Sequence, residues 1–95
     1  MVHTEGLNGY RDSTIHMCEH KGWTKSTIEQ VWLLLTEEIG ELASAIRRAT
    51  NQFSDRKKVN VEGEIMDVLS YLLQIADKFD IDLDAEWQKR IKRDA

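Results

Sequence analysis

Along most of the chain apolar residues return at spacings of three and four, the α-helical period, and they seldom alternate with polar ones as a half-buried strand requires. The pattern predicts an all-α subunit of two long helices packed antiparallel and two shorter ones. The first short helix covers residues 7–21, and Gly22 stands where a left-handed residue would end it, leaving Trp23 in a tight turn. Ser26 followed three residues later by Glu29 forms a capping-box pattern, which starts a second helix running to about Ala49. Residues 50–60 are polar, locally basic and without period, and form the main connector. A third helix is predicted from about Val61 to Phe79. The acidic "DIDLD" then supplies caps for a last helix from about Leu83 to Arg93.

On a wheel of about 100° per residue with Ile28 at zero, Ile28, Val31, Trp32, Leu35, Ile39, Leu42 and Ile46 fill an arc of roughly 100°, the predicted buried stripe of the second helix. Glu38 falls at about 280° with apolar neighbours on both sides, Glu41 about 60° further round, and Glu37 about 40° beyond that, toward solvent. The third helix repeats the device. With Val61 at zero, its stripe is Val61, Ile65, Val68, Leu69, Leu72, Ile75, Ala76 and Phe79, while Glu64 falls at about 300° and Asp67 about 60° further round.

Pairs of acidic residues at spacing three are common in a chain with 17 of them, so position carries the argument rather than spacing. A carboxylate on an apolar flank is costly without a partner, and a divalent cation shared by several offsets both desolvation and mutual repulsion. Hard oxygen donors select Mg²⁺, Mn²⁺ or Ca²⁺. The competing reading is a solvated flank, satisfied by Arg47, Arg48, Lys78 or a basic residue of a neighbouring subunit.

Length and composition narrow the setting. Ninety-five residues with 41% apolar and 32% charged side chains make one globular domain, residues 1–95, whose small core would gain from packing against a second copy as a homodimer or homotetramer. No apolar run approaches the roughly 18 residues of a membrane span. Cys18 is the only cysteine, which excludes an intrachain disulfide, and the start "MVHTEGLNGYRD" lacks the features of a secretory signal, so a cytoplasmic protein is expected. A net charge of -4 argues against a nucleic-acid polymer as partner.

"EEIGEL" at 37–42 and "EIMDVLSYLL" at 64–73 resemble the paired signatures of the MazG-like nucleotide pyrophosphohydrolases of the all-α NTP pyrophosphatase superfamily, and "EHKGW" at 19–23 resembles the turn that precedes the first of them. The resemblance implies Mg²⁺-dependent hydrolysis of a canonical or modified (d)NTP between the α and β phosphates, a house-cleaning reaction that releases the monophosphate and pyrophosphate. It assigns the metal, Mg²⁺ or Mn²⁺, to Glu38, Glu41, Glu64 and Asp67. One of these, or Glu37, would orient or deprotonate the attacking water.

For the rest of a nucleotide, the loop cations Arg56, Lys57 and Lys58 and the terminal Lys89, Lys92 and Arg93 are candidates. Lys89 is favoured by the family's habit of carrying a lysine in the last helix, whereas Arg93 stands where the family often has asparagine. Trp23 and Tyr71 are the aromatic candidates for the base or sugar, set against core packing. "HMCEH" at 16–20 matches a zinc-protease pattern, but on a polar helix face in a chain too short for a protease cleft. Two other functions remain open: a helical protein-interaction module with an acidic flank, and a related pyrophosphatase acting on a phosphoribosyl-ATP-type metabolite.

Overall fold

The computed structural model describes residues 6–50 and 59–94, and among these there are four α-helices and no strand: α1 (Gly6–Lys21), α2 (Ile28–Ala49), α3 (Val61–Lys78) and α4 (Leu83–Asp94). Each helix falls within a residue or two of its expected bounds. Gly22 has φ +75°, the left-handed conformation that ends α1.

The cap of α2 lies one residue later than expected. Thr27, not Ser26, is the N-cap, and its hydroxyl accepts from Gln30 N at 3.1 Å while Gln30 Oε1 accepts from Thr27 N at 2.8 Å. Both pairs satisfy the same pattern, and tertiary structure decides between them. The carbonyl of Ser26 accepts a hydrogen bond from Lys78 Nζ, which holds Ser26 outside the helix and ties the start of α2 to the end of α3. Of the expected connector, residues 51–58 lie outside the described residues. Thr50 is the C-cap of α2, and Asn60 caps α3 by accepting from Gly63 N at 3.0 Å.

The α2–α3 pair is the main packing unit, and α1 packs on α3 and meets α4. Lys78 reaching Ser26 at one end, and Val59 and Asn60 sharing a cavity with Ala45 and Arg48 at the other, make α2 and α3 antiparallel. The core is small: Cys18, Val31, Leu35, Ala45, Leu73 and Ala76.

Here the structure corrects the expected stripes. Trp32 (54% exposed), Ile39 and Ile46 on α2, with Ile65 and Leu72 on α3 and its C-cap Phe79 (59% exposed), stand open to solvent. Helix α2 turns its Val31, Leu35 and Ala45 side inward, centred at about 300° rather than near zero. The apolar arc is wider than one neighbouring helix covers. Because α2 and α3 run antiparallel and each carries its uncovered residues about 60–100° round from the shared interface in the same sense, both uncovered halves lie on one side of the pair.

Helices α1 and α4 are joined by a reciprocal cap. The Asp84 carboxylate accepts from Leu7 N at 2.8 Å and Asn8 N at 3.3 Å, while Asn8 Oδ1 accepts from Leu83 N at 2.8 Å and Asn8 Nδ2 donates to Asp82 Oδ1 at 2.9 Å. Arg11 Nη1 adds a 2.6 Å bond to the carbonyl of Ile81. Gly6, at φ +73°, approaches so closely that an added Cβ would lie 2.9 Å from the Asp84 carboxylate oxygens. Among the described residues no helix is long and apolar enough to cross a membrane. Asp84→Ala, which strips the first turn of α1 of its acceptor, is expected to lower unfolding free energy by about 1–2 kcal/mol in urea titration with most helicity retained.

Candidate metal centre

Three of the four expected metal carboxylates meet. Glu38 and Glu41 of α2 and Glu64 of α3 each place an oxygen within 4.8 Å of the others'. The inward turn of α2 explains the convergence: at about 280° on its wheel, Glu38 lies at the centre of the α2–α3 interface, and Glu64 at about 300° occupies the matching place on α3. Glu38 and Glu64 are half-buried and Glu41 is exposed. Oε2 of Glu38 and Oε2 of Glu64 are buried and, among the described residues, accept no hydrogen bond.

The electrostatics follow from that placement. Burial first, then a side-chain hydrogen bond shared with the Glu64 carboxyl, then the negative charges of Glu41, Asp67 and Glu64, push the Glu38 carboxyl up from 4.5 to about 7. Burial and the charges of Glu38, Asp67 and Glu37 likewise raise the Tyr71 phenol above its ordinary value. Two buried acceptors without donors, in a cluster of hard oxygen ligands, fit a divalent cation: it satisfies the lone pairs and cancels the repulsion together. This trio is the one metal-capable group of His, Cys, Asp or Glu among the described residues, so His16 and His20 of "HMCEH" build no such site.

Asp67 is exposed and outside the trio, yet close enough to act on Glu38 electrostatically, and it shares with Glu38 the wall of a cavity of about 410 Å³. Trp23 and Tyr71, the two aromatic candidates, line the same cavity, as do Met17, Leu34, Ser70 and Gln74. Lys21 Nζ stands 4.9 Å from the centroid of the Trp23 ring. A second cavity of about 390 Å³ opens beside Glu41 and Glu64, lined by Ser44, Arg48 and Asn60.

Other expectations fare differently. Glu37 is exposed and outside the trio. Lys89 lies on the exposed face of α4, with its ammonium 3.1 Å from Glu86 Oε1, and lines neither cavity. Arg93 pairs with Asp94. Lys57, with Arg56 and Lys58, lies outside the described residues. Ser70 and Gln74 had a signal in the sequence, since they follow Asp67 by three and seven positions on one side of α3. Met17 and Leu34 reach the cavity only through tertiary packing.

The raised Glu38 carboxyl makes metal-free stability pH-dependent. The folded protein holds a proton that the unfolded chain releases at about 4.5, so the contribution is complete below that pH and is lost as pH rises through about 7. The Tm of the chelator-treated protein is expected to fall between about pH 5 and pH 8 on this account, measured by thermal melts, with a shallower fall in Glu38→Gln. Saturating Mg²⁺ is expected to raise Tm most at the higher pH.

No curated protein and no solved structure matches the chain. The model of one family does, over residues 26–94, a span that holds the capping turn of α2, all four expected carboxylates, Tyr71 and the whole of α4. With well over half of its 95 residues matched, the chain belongs to the MazG nucleotide pyrophosphohydrolase domain family.

Proposed function

We propose that the protein hydrolyses a canonical or modified (d)NTP between its α and β phosphates, giving the monophosphate and pyrophosphate, as a house-cleaning enzyme of the cytoplasm. The observation that carries the reading is the pair of buried, donorless oxygens of Glu38 and Glu64 within the acidic trio, at the junction of two cavities. Glu38, Glu41 and Glu64 hold Mg²⁺, with Mn²⁺ as a substitute, and Asp67 completes the set from the cavity wall. Bound there, the cation neutralises charge on the phosphate oxygens and acidifies water.

The chain's own residues do the remainder. Trp23 and Tyr71 flank the nucleoside in the larger cavity, which lets one side chain or both stack on a base or sugar. Glu37, exposed beside Glu41 on the wheel, takes the proton of the attacking water as its oxygen bonds to the α-phosphorus. The bond from that phosphorus to the bridging oxygen breaks, and pyrophosphate leaves with the electron pair. Lys57 and Lys89 stand as further phosphate ligands of the proposal, Lys89 after release from Glu86.

The uncovered apolar face of Trp32, Ile39, Ile46, Ile65, Leu72 and Phe79 supports a homodimer, itself able to pair into a tetramer, in which a second copy covers this face. Glu41 and Asp67 turn about 60–80° the other way from the α2–α3 interface, so assembly through the apolar side leaves the carboxylates accessible.

Purified protein incubated with Mg²⁺ and a nucleotide panel is expected to release pyrophosphate; no turnover of any base would refute the reading. Glu41→Ala and Asp67→Ala are each expected to lower kcat/KM by more than the roughly 10–100-fold typical of an outer-shell ligand contact, with circular dichroism unchanged. Ile39→Glu combined with Leu72→Glu is expected to reduce the mass seen in sedimentation to that of one chain.

A further inference from the structure

The acidic trio joins two cavities whose chemistry differs, while the carboxylates themselves are almost symmetric. Under the pseudo-twofold relation of α2 to α3, Glu38 corresponds to Glu64 and Glu41 to Asp67. Three positions beyond Glu41 and Asp67 stand Ser44 and Ser70, a second matched pair. A triphosphate held by such a centre could lie in either direction. Seven positions beyond, two turns or about 10 Å along each helix, the match fails: α2 carries Arg48 and α3 carries Gln74.

Each of these residues lines the cavity at its own end. Arg48 shares the second cavity with the polar Ser44 and Asn60, the apolar Ala45 and Val59 and the carboxylates of Glu41 and Glu64, and Oδ1 of Asn60 is already engaged by Gly63 N, so what this side chain offers a ligand is its amide N–H. A guanidinium presents only donors, in a planar fork that matches phosphate oxygens, and a hydroxyl adds another. The Gln74 cavity has no cation among its described lining residues. Its walls combine Trp23, Tyr71, Met17, Val31 and Leu34 with the hydroxyls of Ser26 and Ser70 and the carboxylates of Glu38 and Asp67, and the Gln74 carboxamide makes one long bond, 3.4 Å from Nε2 to Ser70 Oγ. Such a lining suits a base with a polar edge, and without a cation it meets a diphosphate with hydroxyls alone, beside two carboxylates.

We propose that Arg48, Ser44 and Asn60 form the subsite of the departing diphosphate, and that this cationic end, against the carboxamide end at Gln74, fixes the direction in which the nucleotide lies across the carboxylates. The assignment rests on the hydrolase reading and deepens it. Arg48 acts as a binding residue for the β and γ phosphates, and Gln74 pairs with the base edge.

Calorimetric titration with Mg²⁺-pyrophosphate, and separately with Mg²⁺ and the monophosphate of the fastest-hydrolysed nucleotide, tests the direction. Arg48→Gln is expected to weaken pyrophosphate binding about tenfold or more and the monophosphate less than about twofold, with Arg48→Lys intermediate. Ser44→Ala, a small change that preserves helix propensity, is expected to act in the same direction and keeps the test open if Arg48→Gln fails to fold. Gln74→Leu should show the converse pattern and narrow the difference in KM between bases. If Arg48→Gln and Ser44→Ala weaken the monophosphate as much as pyrophosphate, or leave pyrophosphate binding unchanged in an enzyme that turns over, the direction is overturned while the hydrolase reading stands. A wild-type protein that hydrolyses no nucleotide removes that reading and the subsite with it.

Discussion

The burial of Glu38 against Glu64 across the α2–α3 interface is the constraint around which this molecule is arranged. Two carboxyl groups meet between these helices, each with a buried oxygen for which no hydrogen-bond partner is found among the described residues. Apolar residues there would stabilise the pair more, because a desolvated anion beside another anion is among the costliest things a small core can hold. The arrangement becomes favourable when the charge is met by a cation, so the packing unit that gives the subunit its shape is also the place where it is least stable alone. Fold and chemistry share one interface, and the small apolar core of Val31, Leu35, Ala45, Leu73 and Ala76 must hold it together until the charge is neutralised.

Much of this was legible in the sequence because it is local. Helix ends are written in caps and glycines, and Gly22 and the acidic run before α4 were read from residue type alone. The periodic placement of Glu38, Glu41 and Glu64 on apolar flanks needed only the helical repeat. What escaped depends on contacts between elements. Ser26 and Thr27 both begin valid capping boxes, and only the bond from Lys78 chooses between them. The width of an apolar stripe does not say which part of it a neighbour covers, so Trp32, Ile39 and Phe79 looked like core and stand open. Asp67 matched Glu41 in angle but did not close with the trio, since convergence is set by distance across helices and not by position on one of them. Lys89 matched a family habit, yet its ammonium is turned to Glu86.

The α2–α3 pair therefore has two unlike faces. One carries uncovered aliphatic and aromatic side chains; the other carries the exposed Glu41 and Asp67 and opens into two cavities. Both arise from the same geometry, since rotations of opposite sense from a shared interface reach opposite sides of an antiparallel pair. A substitution on one face then need not disturb the other.

The reciprocal capping of α1 and α4 links residues 77 and 76 positions apart, Leu7 and Asn8 to Asp84. Helices α2 and α3 lie between these ends in sequence, and the packing of α1 on α3 brings the two ends together. Opening the latch would release α4, whose main packing partner is α1, while α1 stays packed on α3 and the central pair stays shut. The segment that fastens α4, the last helix of the span matched by the family, is thus α1, which precedes that span.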